Sequence, residues 1–62
     1  MLKLKMTKRG AKTLYALVDG MMVKIAEKQK SGKPKLIDIG FGSYTEMIND
    51  YQKSGYKVTQ LN

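Results

Sequence analysis

The sequence predicts an α+β domain: a four-stranded antiparallel meander with one helix packed on one face, and a short fifth strand at the C-terminus, in the order ββββαβ. Three observations carry this. Asp19-Gly20 divides two β-prone runs, TLYALV and MMVKIAE. A glycine stands third in each flanking loop, Lys8-Arg9-Gly10 and Lys30-Ser31-Gly32. A Ser43-x-x-Glu46 start is followed by apolar residues at helical spacing.

The first strand, near 2 to 7, alternates Leu2, Leu4 and Met6 with Lys3 and Lys5, the period-two pattern of a half-buried strand. A three-residue hairpin loop favours glycine at its third position, so Lys8-Arg9-Gly10 as a loop pairs Leu4 with Leu14 and Leu2 with Ala16. The second and third strands, near 11 to 18 and 21 to 29, meet at Asp19-Gly20 as a two-residue type I′ turn. That turn sets Val18 against Met21, Ala16 against Val23 and Leu14 against Ile25, with Lys12 beside Glu27. Lys30-Ser31-Gly32 then pairs Ile25 with Ile37, Val23 with Ile39 and Met21 with Phe41, and sets Lys35 opposite Glu27 and Lys24 opposite Asp38. Three turns chosen on local chemistry agree on one apolar face. The fourth strand, near 34 to 41, begins at Pro34, which suits an edge because its missing N–H leaves no ladder bond unmade.

Ser43-Tyr44-Thr45-Glu46 has the form of a capping box opening a helix to about Ser54. Tyr44, Met47, Ile48 and Tyr51 form the stripe that would cover the sheet, and Gly55 is placed to end the helix. YKVTQL, residues 56 to 61, alternates again and admits a fifth strand, antiparallel to the first or parallel to the fourth.

Parity then places Lys3, Lys5, Thr13, Tyr15, Leu17, Met22, Lys24, Ala26, Lys28, Leu36 and Asp38 on the face away from the helix. With the registers above, Lys3, Tyr15 and Lys24 fall in one cross-strand row, an aromatic ring between two ammonium groups. Lys5 and Lys28 flank it, and the Lys8-Arg9 loop projects from one end.

The chain of 62 residues carries 12 Lys and Arg against 5 Asp and Glu, a net charge of +7. The excess lies in residues 1 to 35, which hold ten basic and two acidic residues. Such asymmetry points to a polyanionic partner. No Cys and no His are present, which removes disulfides, thiolate metal sites and the commonest acid-base residue. The five carboxylates are dispersed, and the three serines have no histidine base, so no catalytic role is expected. Gly40-Phe41-Gly42 lacks the GxxxxGK[ST] pattern of a phosphate loop and is expected to bend the chain into the helix. No cofactor and no metal are expected. MLKLKM lacks the continuous apolar run of a signal peptide, so a soluble, unprocessed, cytoplasmic protein of one domain, 1 to 62, is expected, with no membrane association.

An exposed sheet with a ring among cations suits single-stranded nucleic acid, lysines meeting phosphates and the ring meeting a base. The expected function is therefore non-catalytic binding of nucleic acid, single-stranded DNA or RNA ahead of duplex, through Lys3, Lys5, Lys8, Arg9, Tyr15, Lys24 and Lys28. Four antiparallel strands followed by a helix resemble, in element order, the Whirly and PUR class of single-stranded nucleic-acid-binding domains, which dimerise and use their sheets; no motif matches, so no residue role follows. The apolar pair Leu17 and Met22 on the same face supports an alternative, a small effector or inhibitor of the kind mobile elements encode, docking on an acidic protein. A homodimer, formed through that patch or by strand edges, is also expected of so small a core.

Overall fold

Alternation of apolar and polar residues in five short segments lets one sheet bury one face beneath a single amphipathic helix. The computed structural model describes residues 1 to 62 and contains β1 (Leu2–Thr7), β2 (Leu14–Asp19), β3 (Met22–Glu27), β4 (Lys35–Phe41), α1 (Tyr44–Lys53) and β5 (Lys57–Gln60). All strand pairs are antiparallel, in the order β4-β3-β2-β1-β5. The ββββαβ architecture is as expected, and the open question about the last strand resolves in favour of β1. Pro34 precedes an edge strand, as its chemistry requires.

Leu4, Met6, Leu14, Ala16, Val18, Val23 and Ile25 of the first three strands are buried with Ile48 of α1, and Leu2, Met47, Tyr51, Tyr56 and Val58 pack around them. Eight buried residues make a small core for a domain of this length, so individual core side chains carry a large share of its stability. No helix is long and apolar enough to cross a membrane.

The registers differ from expectation in two ways with opposite consequences. Between β2 and β3 the pairs are Val18 with Val23, Ala16 with Ile25 and Leu14 with Glu27, so the two-residue loop is Gly20-Met21 rather than Asp19-Gly20. Gly20 has φ +60° and no non-glycine residue has positive φ, the sign pattern of a type II′ turn with glycine at its first central position. A type I′ turn on Asp19-Gly20 would have required positive φ at Asp19 as well. Met21 therefore sits at the turn, 73% exposed, and not in the core. β1 and β2 shift by the same two residues, Leu4 facing Ala16 and Met6 facing Leu14. Their connection is longer than a three-residue loop and contains a turn in which the Ala11 N–H donates to the Lys8 carbonyl at 3.1 Å. Because both slips are by two residues, every side chain that stays within a strand keeps its face; Met21, moved into the turn, does not.

β4 departs by one residue. Glu27 faces Lys35 and Ala26 faces Leu36 as expected, but a bulge then leaves Ile37 without a cross-strand partner and pairs Ile25 with Asp38, Val23 with Gly40, Lys24 with Ile39 and Met22 with Phe41. One inserted residue exchanges the faces of all that follow. Asp38 and Gly40 thus lie toward the helix, and Ile39 and Phe41 toward the open side. The helix favours this parity. A Cβ on Gly40 would stand 2.9 Å from Met47 Cε, so the absent side chain is what lets α1 approach, and the Tyr51 hydroxyl donates to Asp38 Oδ2 at 3.2 Å.

The helix begins at Ser43 with extended backbone, but Ser43 makes no side-chain capping hydrogen bond, so the expected capping box is not formed. Its start is exposed, and water can satisfy the free N–H groups. The C-terminus closes as a Schellman motif, with the Tyr56 N–H donating to the Tyr51 carbonyl at 3.1 Å and the Gly55 N–H to the Gln52 carbonyl at 3.0 Å. Of the expected stripe, Ile48 is buried and Met47 and Tyr51 are half-buried, while Tyr44 is exposed.

Candidate functional site

The face of the sheet that α1 leaves uncovered is built by cross-strand rows. One runs Lys3, Leu17, Lys24, Ile39. Its neighbour runs Thr59, Lys5, Tyr15, Ala26, Leu36, and shorter rows pair Lys57 with Thr7 and join Asp19, Met22 and Phe41. Lys3 and Lys24 therefore flank Leu17, not Tyr15, which corrects the expected row. Tyr15 lies between Lys5 and Ala26, with Lys3 and Lys24 as its diagonal neighbours at about 7–8 Å in ideal sheet geometry. The ring remains among lysines, with Lys5 directly opposite it and Lys3 and Lys24 on the diagonals.

Carboxylates are concentrated on one side, whereas lysines stand on both. Lys3, Lys5, Lys24 and Lys57 are exposed on the open face. Lys28 continues the same parity just past β3, where its N–H donates to the Thr13 carbonyl at 2.9 Å. The open face has one carboxylate, Asp19, at the turn. The other four lie on the helix side: Asp38 bonded to Tyr51, Glu46 and Asp50 on α1, and Glu27 across from Leu14, where its Oε1 is 3.7 Å from Lys12 Nζ and accepts from Gln29 at 3.0 Å. Lys24 faces Ile39 and not Asp38, so it has no acid across the strand. A cleft of about 440 Å³ between α1 and β4 collects Asp38, Glu46 and Asp50 on its walls. No three His, Cys, Asp or Glu side chains stand close enough together to hold a metal ion.

Of the expected site residues, Lys3, Lys5, Tyr15 and Lys24 come together on the open face, with Lys28 at its margin. Arg9 is exposed in the β1–β2 connection. Lys8 departs from the group. Its ammonium stands 5.5 Å from the centre of the Tyr56 ring and its stem runs beside Gly55, at the junction of α1 and β5. A cation over a ring face is held there electrostatically, so Lys8 braces the end of the helix.

The structure adds residues that sequence reasoning missed. Lys57 joins the lysines because Val58 faces Met6, which sets Lys57 and Thr59 on the Lys5 side. The alternation of KVTQ contained that information, but only once β5 is known to pair with β1. Ile39 and Phe41, assigned to the core by regular alternation, lie on the open face at 44% and 77% exposure beside half-exposed Leu36. Nothing in the local sequence announces the bulge at Ile37.

Comparison with known proteins finds no matching family, no matching curated protein and no matching solved structure. The likeness to the Whirly and PUR class rests on element order.

Proposed function

We propose that this protein binds nucleic acid without catalysis, through the open face of its sheet. The observation that supports it is the imbalance of charge between the faces: the open face carries four exposed lysines and one carboxylate, whereas on the helix side the other four carboxylates are offset by Lys12, Lys35 and Lys53. A basic surface of this kind concentrates phosphates, and Tyr15 offers a ring where a base can lie. Lys3, Lys5, Lys24 and Lys57 meet the backbone, with Lys28 and Arg9 at the rim. Lys8 contributes field more than contact, since its ammonium is engaged with Tyr56.

Fluorescence anisotropy of a labelled single-stranded oligonucleotide, titrated at several salt concentrations, tests this. Engagement of about five phosphates gives a slope of log K against log salt near −3.5. A Lys3/Lys5/Lys24 triple alanine variant should lose most of that affinity. Binding indifferent to salt, or undiminished in the variant, counts decisively against the proposal.

The second reading, docking on an acidic protein, draws on the apolar side of the same face, where Leu36, Ile39 and Phe41 are exposed beside the lysines. Copurification separates the two. Bound nucleic acid raises absorbance at 260 nm and leaves with nuclease and high salt, whereas a protein partner survives nuclease.

A further inference from the structure

The bulge at Ile37 brings a second aromatic residue to the open face, and its position relative to the first is specific. Lys24 is a diagonal neighbour of Tyr15 across β2 and β3, and Phe41 is a diagonal neighbour of Lys24 across β3 and β4. Tyr15, Lys24 and Phe41 thus lie along one diagonal of the sheet: ring, ammonium, ring. Each diagonal step is about 7–8 Å in ideal sheet geometry, so the backbone positions of the two aromatic residues are about 15 Å apart, with that of Lys24 midway.

We propose that Tyr15 and Phe41 are two base-stacking positions for one single-stranded nucleic acid, with Lys24 holding a backbone phosphate between them. The assignment rests on the open face being a nucleic-acid surface and names the class of strand it takes. Two features of the diagonal argue for bases as the occupant. Phe41 is the most exposed large apolar side chain in the protein, at 77%, yet it stands on the face that carries Lys3, Lys5, Lys24 and Lys57 and a single carboxylate. A polyanion that also carries flat apolar surfaces is complementary to both properties at once. Stacking on a ring then selects the strand. In a duplex both faces of each base are covered by its neighbours, so a base can lie on Tyr15 or Phe41 only if it is unstacked, which a single strand allows and an intact duplex does not.

The test compares an oligothymidine of about twelve nucleotides, a length within known single-strand site sizes, with an abasic oligomer of equal length and charge and with a duplex. Phe41 is so exposed that Phe41→Ala should fold normally, which circular dichroism verifies. Expected are tighter binding of oligothymidine than of the abasic strand or duplex, and a loss of roughly tenfold in Phe41→Ala for oligothymidine alone. The salt slope should not change, because no charge is removed. The chain has no Trp, so Phe41→Trp supplies a single indole, whose emission should be quenched by oligothymidine and not by the abasic strand.

Equal, salt-dependent affinity for oligothymidine and the abasic strand, unaffected by Phe41→Ala, overturns the stacking assignment while leaving the basic nucleic-acid surface intact. No binding of any strand overturns both. A concentration-dependent dimer in sedimentation that Phe41→Ala dissolves, with no change in oligothymidine affinity, makes Phe41 an interface between copies and likewise overturns the assignment.

Discussion

Tyr51 on the helix donates its hydroxyl hydrogen to Asp38 Oδ2 on the edge strand at 3.2 Å, a bond that exists only because the bulge before Asp38 turns that carboxylate toward α1. Partial burial of the phenol, the charge of Asp38 and the hydrogen bond to it, in that order, hold the Tyr51 pKa above its ordinary value of 10.0, with a lesser contribution from Tyr56. The folded protein thus binds this proton more tightly than the unfolded chain does. The stabilisation is fully present below the unfolded pKa and is lost as pH rises through the folded one. Absorbance at 295 nm should show one of the four tyrosines ionising late, and Tyr51→Phe should remove that late step. The same substitution should lower stability by about 1 kcal/mol or less near neutral pH, the range of one partly exposed hydrogen bond. A titration identical in wild type and Tyr51→Phe, apart from one fewer tyrosine of ordinary pKa, contradicts the bond.

How far the sequence reveals this arrangement depends on the parity of each error. Choosing Asp19-Gly20 over Gly20-Met21 as the loop displaces every β2–β3 pair, yet leaves Val18, Val23 and Ile25 in the core and Lys24 on the open face, since a shift of two preserves sides. Missing Ile37 as a bulge is a smaller numerical error with a larger effect, for it sends Phe41 and Ile39 to the wrong side and Asp38 with them. Local chemistry marks turns through residues such as Gly20. A bulge inside the run LIDIG is set by what the helix can pack against, and that is a tertiary fact. The lysines of β1 were legible for the same reason. Leu4 and Met6, 7% and 0% exposed, anchor a strand without irregularity.

The turn is testable directly. Gly20 at φ +60° has open space around its missing Cβ, so Gly20→Ala suffers only the backbone penalty of the left-handed region, about 1–2 kcal/mol. Met21→Ala, at a 73% exposed position, should stay within about 0.5 kcal/mol of wild type. Urea denaturation with unchanged m-values checks both. Had the loop been Asp19-Gly20, Met21 would be a core residue and its truncation would be among the most destabilising changes.

The parity of β4 predicts a coupling. The Gly40 Cβ position is 2.9 Å from Met47 Cε and 3.2 Å from its sulfur, so Gly40→Ala must displace the end of a flexible side chain, a mild overpacking that costs about 1 kcal/mol. Met47→Ala opens that space. In the Met47→Ala background, Gly40→Ala should therefore be nearly neutral, and the double-mutant cycle should show a coupling of at least about 0.5 kcal/mol. Additive effects would mean that Gly40 does not face the helix.

Alanine substitutions at Lys53 and Lys57 separate position from total charge. Lys57 and Lys53 lie four residues apart, but Lys57 faces Thr7 on the open side of the sheet while Lys53 ends the last turn of α1. Each alanine substitution lowers the net charge from +7 by one, so a mechanism that depends only on overall charge weakens equally in both. If the open face tracks a phosphate backbone, removing Lys57 deletes a contact and should reduce the steepness of the salt dependence by about 0.7 for a single strand, while removing Lys53 should leave that slope unchanged. Neither side chain is buried, so stability should be little affected in either and the comparison stays a comparison of binding. Equal slopes in the two variants would locate the interaction in the diffuse field of the protein, and a steeper loss in Lys53→Ala would move it to the helix side.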